Sequence, residues 1–316
     1  MHNLRFKAAP GQQTAITAVV KGKMSMNVAG KEVQTNINTQ TDAHLQFDTT
    51  AAEIYNVRLN YSNFKVEQSI EGFGAKVLTP DSSTSIQMPN NVMEQIKKVA
   101  YRLRMNQQGG VVDVEKNDSL FTAVAKAAIP DNDSVGIKVF EMLKPLMNEQ
   151  MAKGFLEQAF FVYPSKAVNV GDSWTNTMTV TAVFSMTVAS EFTLMAITDS
   201  SATLAVNSRI KPGNNGDVLM TGLAMAGAPF TQNKLAKSAK GIDVAGMKMK
   251  AEFSGTQTGT VELDLKKGRA KTCQLHQLLN GDLTFGIFML PMALDMTTTY
   301  TLTDLPSLVA YSNHHK

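Results

Sequence analysis

Gly171-Asp172-Ser173-Trp174 has the look of a serine-esterase nucleophile block. A serine hydroxyl attacks only when a positioned base takes its proton. The block's partners would be a late aspartate and histidine two residues apart, and the sequence has no such pair. Of the five histidines, His2, His314 and His315 stand at the ends of the chain. His44 and His276 occupy polar positions in alternating stretches, where a solvated side chain is expected. The block therefore reads as a turn anchored by Trp174, the single tryptophan. Aspartates and glutamates are scattered, with no conspicuous pair. A glycosidase can draw its two carboxylates from distant positions, but one tryptophan makes a thin sugar platform. Gly255-Thr256-Gln257-Thr258-Gly259-Thr260 lacks the lysine and the strand-to-helix setting of a phosphate loop. The 19 methionines could suggest copper, yet Met178/Met186, Met247/Met249 and Met292/Met296 keep even spacing, which is a packing pattern. One cysteine, Cys273, excludes an internal disulfide and a cysteine-rich metal site. No cofactor and no metal are implied.

Composition narrows the partners. The 316 residues carry 30 Lys and Arg against 27 Asp and Glu, a net charge of +3, too small to point to nucleic acid. Charged residues are 18% of the chain, below the usual share of about 25%. No run of about 18 apolar residues occurs, so no transmembrane helix is expected. Aromatics at 7% are too few for the two girdles of an outer-membrane barrel. The start, Met1-His2-Asn3-Leu4-Arg5-Phe6-Lys7, has no apolar segment of a signal peptide behind it. The low charge and the wealth of Thr, Asn, Gln and Ser nevertheless favour a periplasmic or outer-membrane-associated exported protein over a cytoplasmic one.

The strongest positional signal is period-two alternation. From Val33 to Phe47 the odd positions are apolar or threonine, and the even ones polar from Glu32 to Asp48. Side chains of a strand alternate between faces, so such a ribbon is dry on one side. The pattern recurs at Met178 to Val188, Met247 to Phe253, Val261 to Leu265 and Met292 to Leu302. Turns are expected at Ala29-Gly30-Lys31, Asp199-Ser200-Ser201, Lys266-Lys267-Gly268 and Asn280-Gly281. Tyr55, Val57, Leu59 and Tyr61 change face at Phe64 and Val66, which predicts a bulge near Ser62-Asn63. The middle of the chain reads differently. Asn91 could cap a helix from Val92 to Met105, with Lys97, Lys98, Arg102 and Arg104 on or near its wet side. Two further helices are expected between Asp118 and Met147, and helix again over Ala152 to Gln158. Residues 211–246 hold a Pro/Gly/Asn loop and a small apolar stretch, either a buried helix or covering loop, or a lid.

Leu4-Arg5-Phe6 before Pro10-Gly11-Gln12, Phe161-Val162-Tyr163-Pro164 leading to Val170-Gly171-Asp172-Ser173-Trp174, and Gly259-Thr260-Val261-Glu262-Leu263-Asp264 before Gly268 carry a resemblance. Together they resemble a family of uncharacterised exported Bacteroidetes proteins, usually lipoproteins, classed as a domain of unknown function. More distantly, the layout resembles the half-barrel of periplasmic lipoprotein carriers. The resemblance implies export and supplies no catalytic residue; the lipid-bearing cysteine of the family is absent here.

The expected fold is α+β and mostly β, in a single large domain over 1–316: a long, curved antiparallel meander, half-barrel-like, covered by helices from the middle of the chain. Strands are expected over about 3–88 and 173–305, with a helical insertion over about 91–158. The expected function is non-enzymatic binding of a lipid or other apolar molecule in the concavity, with Phe184, Met186, Met292 and Met296 lining it. Ordinary core packing is the competing reading of those four residues. The alternative function is a structural or protein-interaction component of the envelope with a plugged interior; a hydrolase ranks third.

Overall fold

A computed structural model of the protein describes residues 1–28, 30–49, 53–71, 84–87, 94–115, 148–181, 185–213, 249–285 and 288–306. Among the described residues, twelve strands form one antiparallel sheet. The first three are β1 (Gln12–Val28), β2 (Lys31–Thr49) and β3 (Tyr55–Glu71). The short strands β4 (Thr84–Gln87), β5 (Tyr101–Met105) and β6 (Val111–Val114) follow. After a helix, α1 (Glu149–Phe160), come β7 (Ser173–Thr181), β8 (Ser185–Ile197) and β9 (Ser201–Pro212). The last are β10 (Met249–Asp264), β11 (Arg269–Phe285) and β12 (Phe288–Leu305). The order across the sheet is β6-β5-β3-β2-β1-β12-β11-β10-β9-β8-β7, with β4 paired to β3 beside that path. Strands from the two ends of the chain thus meet in the middle, where Gln13 faces Leu305 and Met26 faces Met292.

The fold is nearly all β, which corrects the α+β expectation, and no layer of helices covers the sheet among the described residues. Of the stretch expected as a helix over 92–105, residues 94–96 are helical among those described, and the chain then becomes β5. Ile96, Val99 and Leu103 suit a helical stripe, but Tyr101, Leu103 and Met105 also alternate with Arg102 and Arg104. Pairing to β3 selects the second pattern, which puts both arginines on the wet face. The helices expected between Asp118 and Met147, and nearly all of the 211–246 segment, lie outside the described residues. Met178 to Val188 is a hairpin rather than one strand; Val180 faces Met186, so both stay on the dry side. Asn280-Gly281 lies within β11, where Gly281 faces Phe253, and makes no turn.

The sheet is not closed, but it is strongly curled. Eleven adjacent strands laid flat would span about 48 Å. Yet α1, only about 10–12 Å across, packs on β5 and β6 at one edge and on β7 at the other. Asn148 caps the helix, its side chain accepting from Met151 N–H at 2.9 Å, and Ala152, Leu156, Ala159 and Phe160 are fully buried. The segment after the helix continues the bridge: Trp174 Nε1 donates to the Val162 carbonyl at 3.1 Å, and Asn176 Nδ2 to the Phe161 carbonyl at 3.0 Å. Among the described residues the core divides into two clusters. One surrounds α1 and includes Phe6, Phe47, Phe160 and Tyr163. The other holds Met24, Met26, Val33, Met178, Phe253 and Met292.

Glu157 of α1 is buried; its Oε1 accepts from Val111 N–H at 3.1 Å, and Lys153 Nζ is 3.9 Å away. Its Oε2 has no partner among the described residues. Burial raises this carboxyl above the ordinary glutamate value, outweighing Lys153 and the Val111 N–H, which lower it. Below that ordinary value the group is protonated in both folded and unfolded chains. As pH rises, the unfolded chain ionises first, so this group's stabilising share is lost until the folded carboxyl ionises too. Glu157→Gln keeps an acceptor for Val111 and removes the buried charge. It is expected to add about 1 kcal/mol near pH 7, roughly 2–4 °C in Tm, by thermal melts. The gain should vanish below about pH 4.

Candidate functional site

A cavity of about 310 Å³ lies inside the curl, where the two core clusters meet. The strands that line it are far apart in the sheet order. Ile37 and Thr39 come from β2, Phe64 and Val66 from β3, Met178 and Val180 from β7, and Met186 and Val188 from β8. Ala18, Val20 and Met24 of β1 and Leu294 and Met296 of β12 form the middle of the wall. Met151, Gly154, Phe155 and Gln158 of α1 close one side. No Asp, Glu, Lys, Arg or His lines the cavity among the described residues.

Polar groups on the wall form a chain across four neighbouring strands. Ser190 of β8 faces Ser208 of β9, Ser208 faces Gln257 of β10, and Gln257 faces Gln277 of β11. Gln277 Nε2 donates to Gln257 Oε1. Gln257 Nε2 donates to Ser208 Oγ at 3.3 Å, and Ser208 Oγ to Ser190 Oγ at 2.8 Å. Ser190, Gln257 and Gln277 face the cavity, while Ser208 is fully buried behind them. Thr298 of β12 adds a hydroxyl near the row. Towards α1, Tyr300 Oη donates to Gln158 Oε1 at 2.9 Å. Burial pushes the Cys273 thiol on the same wall up to about 12. That thiol stays protonated near neutral pH, so the wall offers no thiolate nucleophile.

Of the four residues predicted to line a pocket, Met186 and Met296 are on the wall. Met292 is buried in the methionine-rich cluster, off the wall, and Phe184 lies outside the described residues. His44 and His276 are exposed, and His276 Nε2 lies 2.7 Å from Asp295 Oδ1. Ser173 opens β7, its hydroxyl 2.8 Å from that of Thr193, with no histidine partner among the described residues. The indole of Trp174 stacks on Phe192 with ring centres 6.0 Å apart.

The polar row escaped the sequence reading, although it left a signal. Ser190 sits at the parity of Met186, Val188 and Phe192, and Ser208 at that of Val206 and Ile210. Gln257 shares parity with Phe253 and Val261, and Gln277 with Leu275 and Leu279. Each is a polar interruption of a dry face, and only the strand register shows that all four fall on one level.

No helix among the described residues is long and apolar enough to cross a membrane. A family model described as "Family of unknown function (DUF6263)" matches residues 52–269. No curated protein matches the sequence. Among solved structures, the chain is similar to one described as lipid-protein interactions in lipovitellin, at 10% identity and a TM-score of 0.48. That match covers 95% of this chain but 26% of the other, so the chain spans about a quarter of its length. An outer membrane channel from Pseudomonas putida F1 aligns at 6% identity and a TM-score of 0.24, covering 94% of this chain and 97% of that one. OccK7 (OpdD) of Pseudomonas aeruginosa aligns at 7% identity and 0.23, with coverages of 93% and 99%. At these TM-scores the similarities carry no argument about function.

Proposed function

We propose, for a chain that belongs to the DUF6263 family of unknown function, that the curled sheet binds a lipid or other apolar molecule in its interior without transforming it. The observation that carries this reading is the uncharged, methionine- and valine-rich cavity between the two halves of the sheet. Its volume of about 310 Å³ falls at the lower end of ordinary ligand pockets. Unbranched, polarisable methionine side chains adapt to apolar partners of varied shape. Among the described residues the wall offers neither a charged general base nor a thiolate, which supports binding over catalysis. Low charge and polar outer faces rich in Thr, Asn and Gln fit an exported protein that works in the envelope, near a supply of lipid.

The test is a titration with Nile red, a neutral apolar fluorophore. Saturable one-to-one binding with a blue-shifted emission is expected. Thr39 is half-buried on the wall, between Val20 and Val66. Thr39→Trp should fill the space beside them without removing a large core side chain. Nile red affinity should fall more than tenfold, about 1.4 kcal/mol, while the β-sheet circular dichroism stays unchanged. Non-saturable binding, or equal affinity in the variant, would refute the reading. Native mass spectrometry of protein purified from its own cells should find copurifying lipid.

A further inference from the structure

The hydrogen-bonded row inside the cavity specifies more than greasiness. Its four members cross three strand spacings, about 14 Å. All its links run in one direction, from the Gln277 amide through Gln257 and Ser208 to Ser190. Within the row, the Ser190 hydroxyl proton and the Gln277 carbonyl are not used, and each glutamine keeps a second amide proton. The row therefore presents donors and an acceptor on an otherwise apolar wall. Apolar residues flank it on both sides along the strands: Val188 and Leu279 on one, Phe192 and Leu275 on the other. No cation lines the cavity among the described residues, so an ionised carboxylate would enter without a counter-charge. Burying an unpaired charge is far costlier than burying a neutral group that finds hydrogen bonds.

On the reading that the cavity binds apolar molecules, we infer that its ligand is an uncharged amphiphile with an internal amide or ester. Hydrocarbon extends from both sides of that group, which hydrogen-bonds to the Ser190–Gln277 row, and ionised fatty acids are rejected. The row makes the cavity a discriminating site, because a hydrocarbon without the polar group leaves the open donors and acceptor of the row unpaired.

The experiment is displacement of bound Nile red at pH 8 by three twelve-carbon probes: N-hexylhexanamide, dodecanoate and dodecane. The amide is expected to bind at least tenfold more tightly than dodecanoate, and more tightly than dodecane. Gln277→Met, on a half-buried side chain at the acceptor end of the row, should weaken the amide roughly five- to tenfold relative to dodecane. Ser190→Ala at the donor end serves the same purpose if the glutamine variant loses its fold. Dodecanoate binding as tightly as the amide would overturn the inference, as would an amide preference that survives both variants. Either result leaves the cavity reading standing if Nile red still saturates at one equivalent. Failure of Nile red to saturate would sink the cavity reading itself.

Discussion

Phe6→Ala is expected to destabilise the protein by about 3–5 kcal/mol. Phe6 precedes the first strand, yet its side chain is fully buried. Its ring centre lies 5.4 Å from Phe47, 5.0 Å from Tyr55, 5.4 Å from Phe160 and 6.4 Å from Tyr163. Those four rings come from β2, the start of β3, the end of α1 and the segment after it. One side chain therefore joins the N-terminal strands to the helix that bridges the sheet edges. The backbone holds the ring in place: Phe6 N–H donates to the Gln107 carbonyl at 2.8 Å, and Lys7 N–H to Gly268 at 2.8 Å. Truncation removes the transfer energy of the ring and leaves a void that those four segments cannot all close together. Each tilted or edge-to-face pair contributes about 0.5–1.5 kcal/mol beyond its area, and those contributions go too. Guanidinium unfolding should show a lower midpoint at an unchanged slope. Val112→Ala, at a half-exposed position, should stay within about 0.5 kcal/mol and serves as the control. A Phe6→Ala variant as stable as that control would show that the end of the curl is not sealed by this cluster.

That cluster was invisible in the sequence for a physical reason. Alternation reports which face of a strand is dry, and Phe6, although inside the 3–88 stretch expected as strand, precedes β1 and belongs to no strand. Where a strand does form, the pattern was legible residue by residue. Val33, Ala43, Leu45 and Phe47 are buried while Glu32 and His44 are exposed, as the alternation in β2 requires. The bulge expected near Ser62-Asn63 falls where β2 and β3 change register, between Asp42 opposite Asn63 and Ala43 opposite Tyr61. Local pattern failed where two periods fit the same residues, as at Ile96 to Met105, where a cross-strand partner made the choice. It failed again at Met178 to Val188, because a hairpin that brings Val180 opposite Met186 preserves the parity of a continuous strand. The site shows the same division. Met186 and Met296 could be placed on a dry face from spacing alone, but spacing does not say which part of that face borders a cavity. The meeting of β1 with β12, and of Ser190 with Gln277 on one level, depends on register between strands far apart in sequence. No single-strand pattern encodes that.

Gly109→Ala is the second large effect, at an expected cost of about 2–5 kcal/mol, because two independent penalties add. Gly109 sits in the turn between β5 and β6 with φ +84, in the left-handed region where an alanine costs roughly 1–2 kcal/mol. A Cβ there would also lie 1.8 Å from the Phe160 carbonyl oxygen and 2.4 Å from its carbon. Both are backbone atoms at the end of α1, so no flexible side chain can swing aside, and overpacking adds about 1–3 kcal/mol. Gly171 separates the two penalties. Its φ is +92, and nothing lies within 4 Å of a Cβ built there, so Gly171→Ala should show the conformational penalty alone. The difference between the two variants in guanidinium unfolding measures the close approach of the β5–β6 turn to the helix. The same approach governs the cavity, because α1 supplies Met151, Gly154, Phe155 and Gln158 to its wall. Pushing Phe160 outward should loosen that side, so Gly109→Ala should weaken Nile red binding as well as stability. Gly171→Ala should leave binding unchanged. If Gly109→Ala costs no more than Gly171→Ala, the helix is not clamped by this turn.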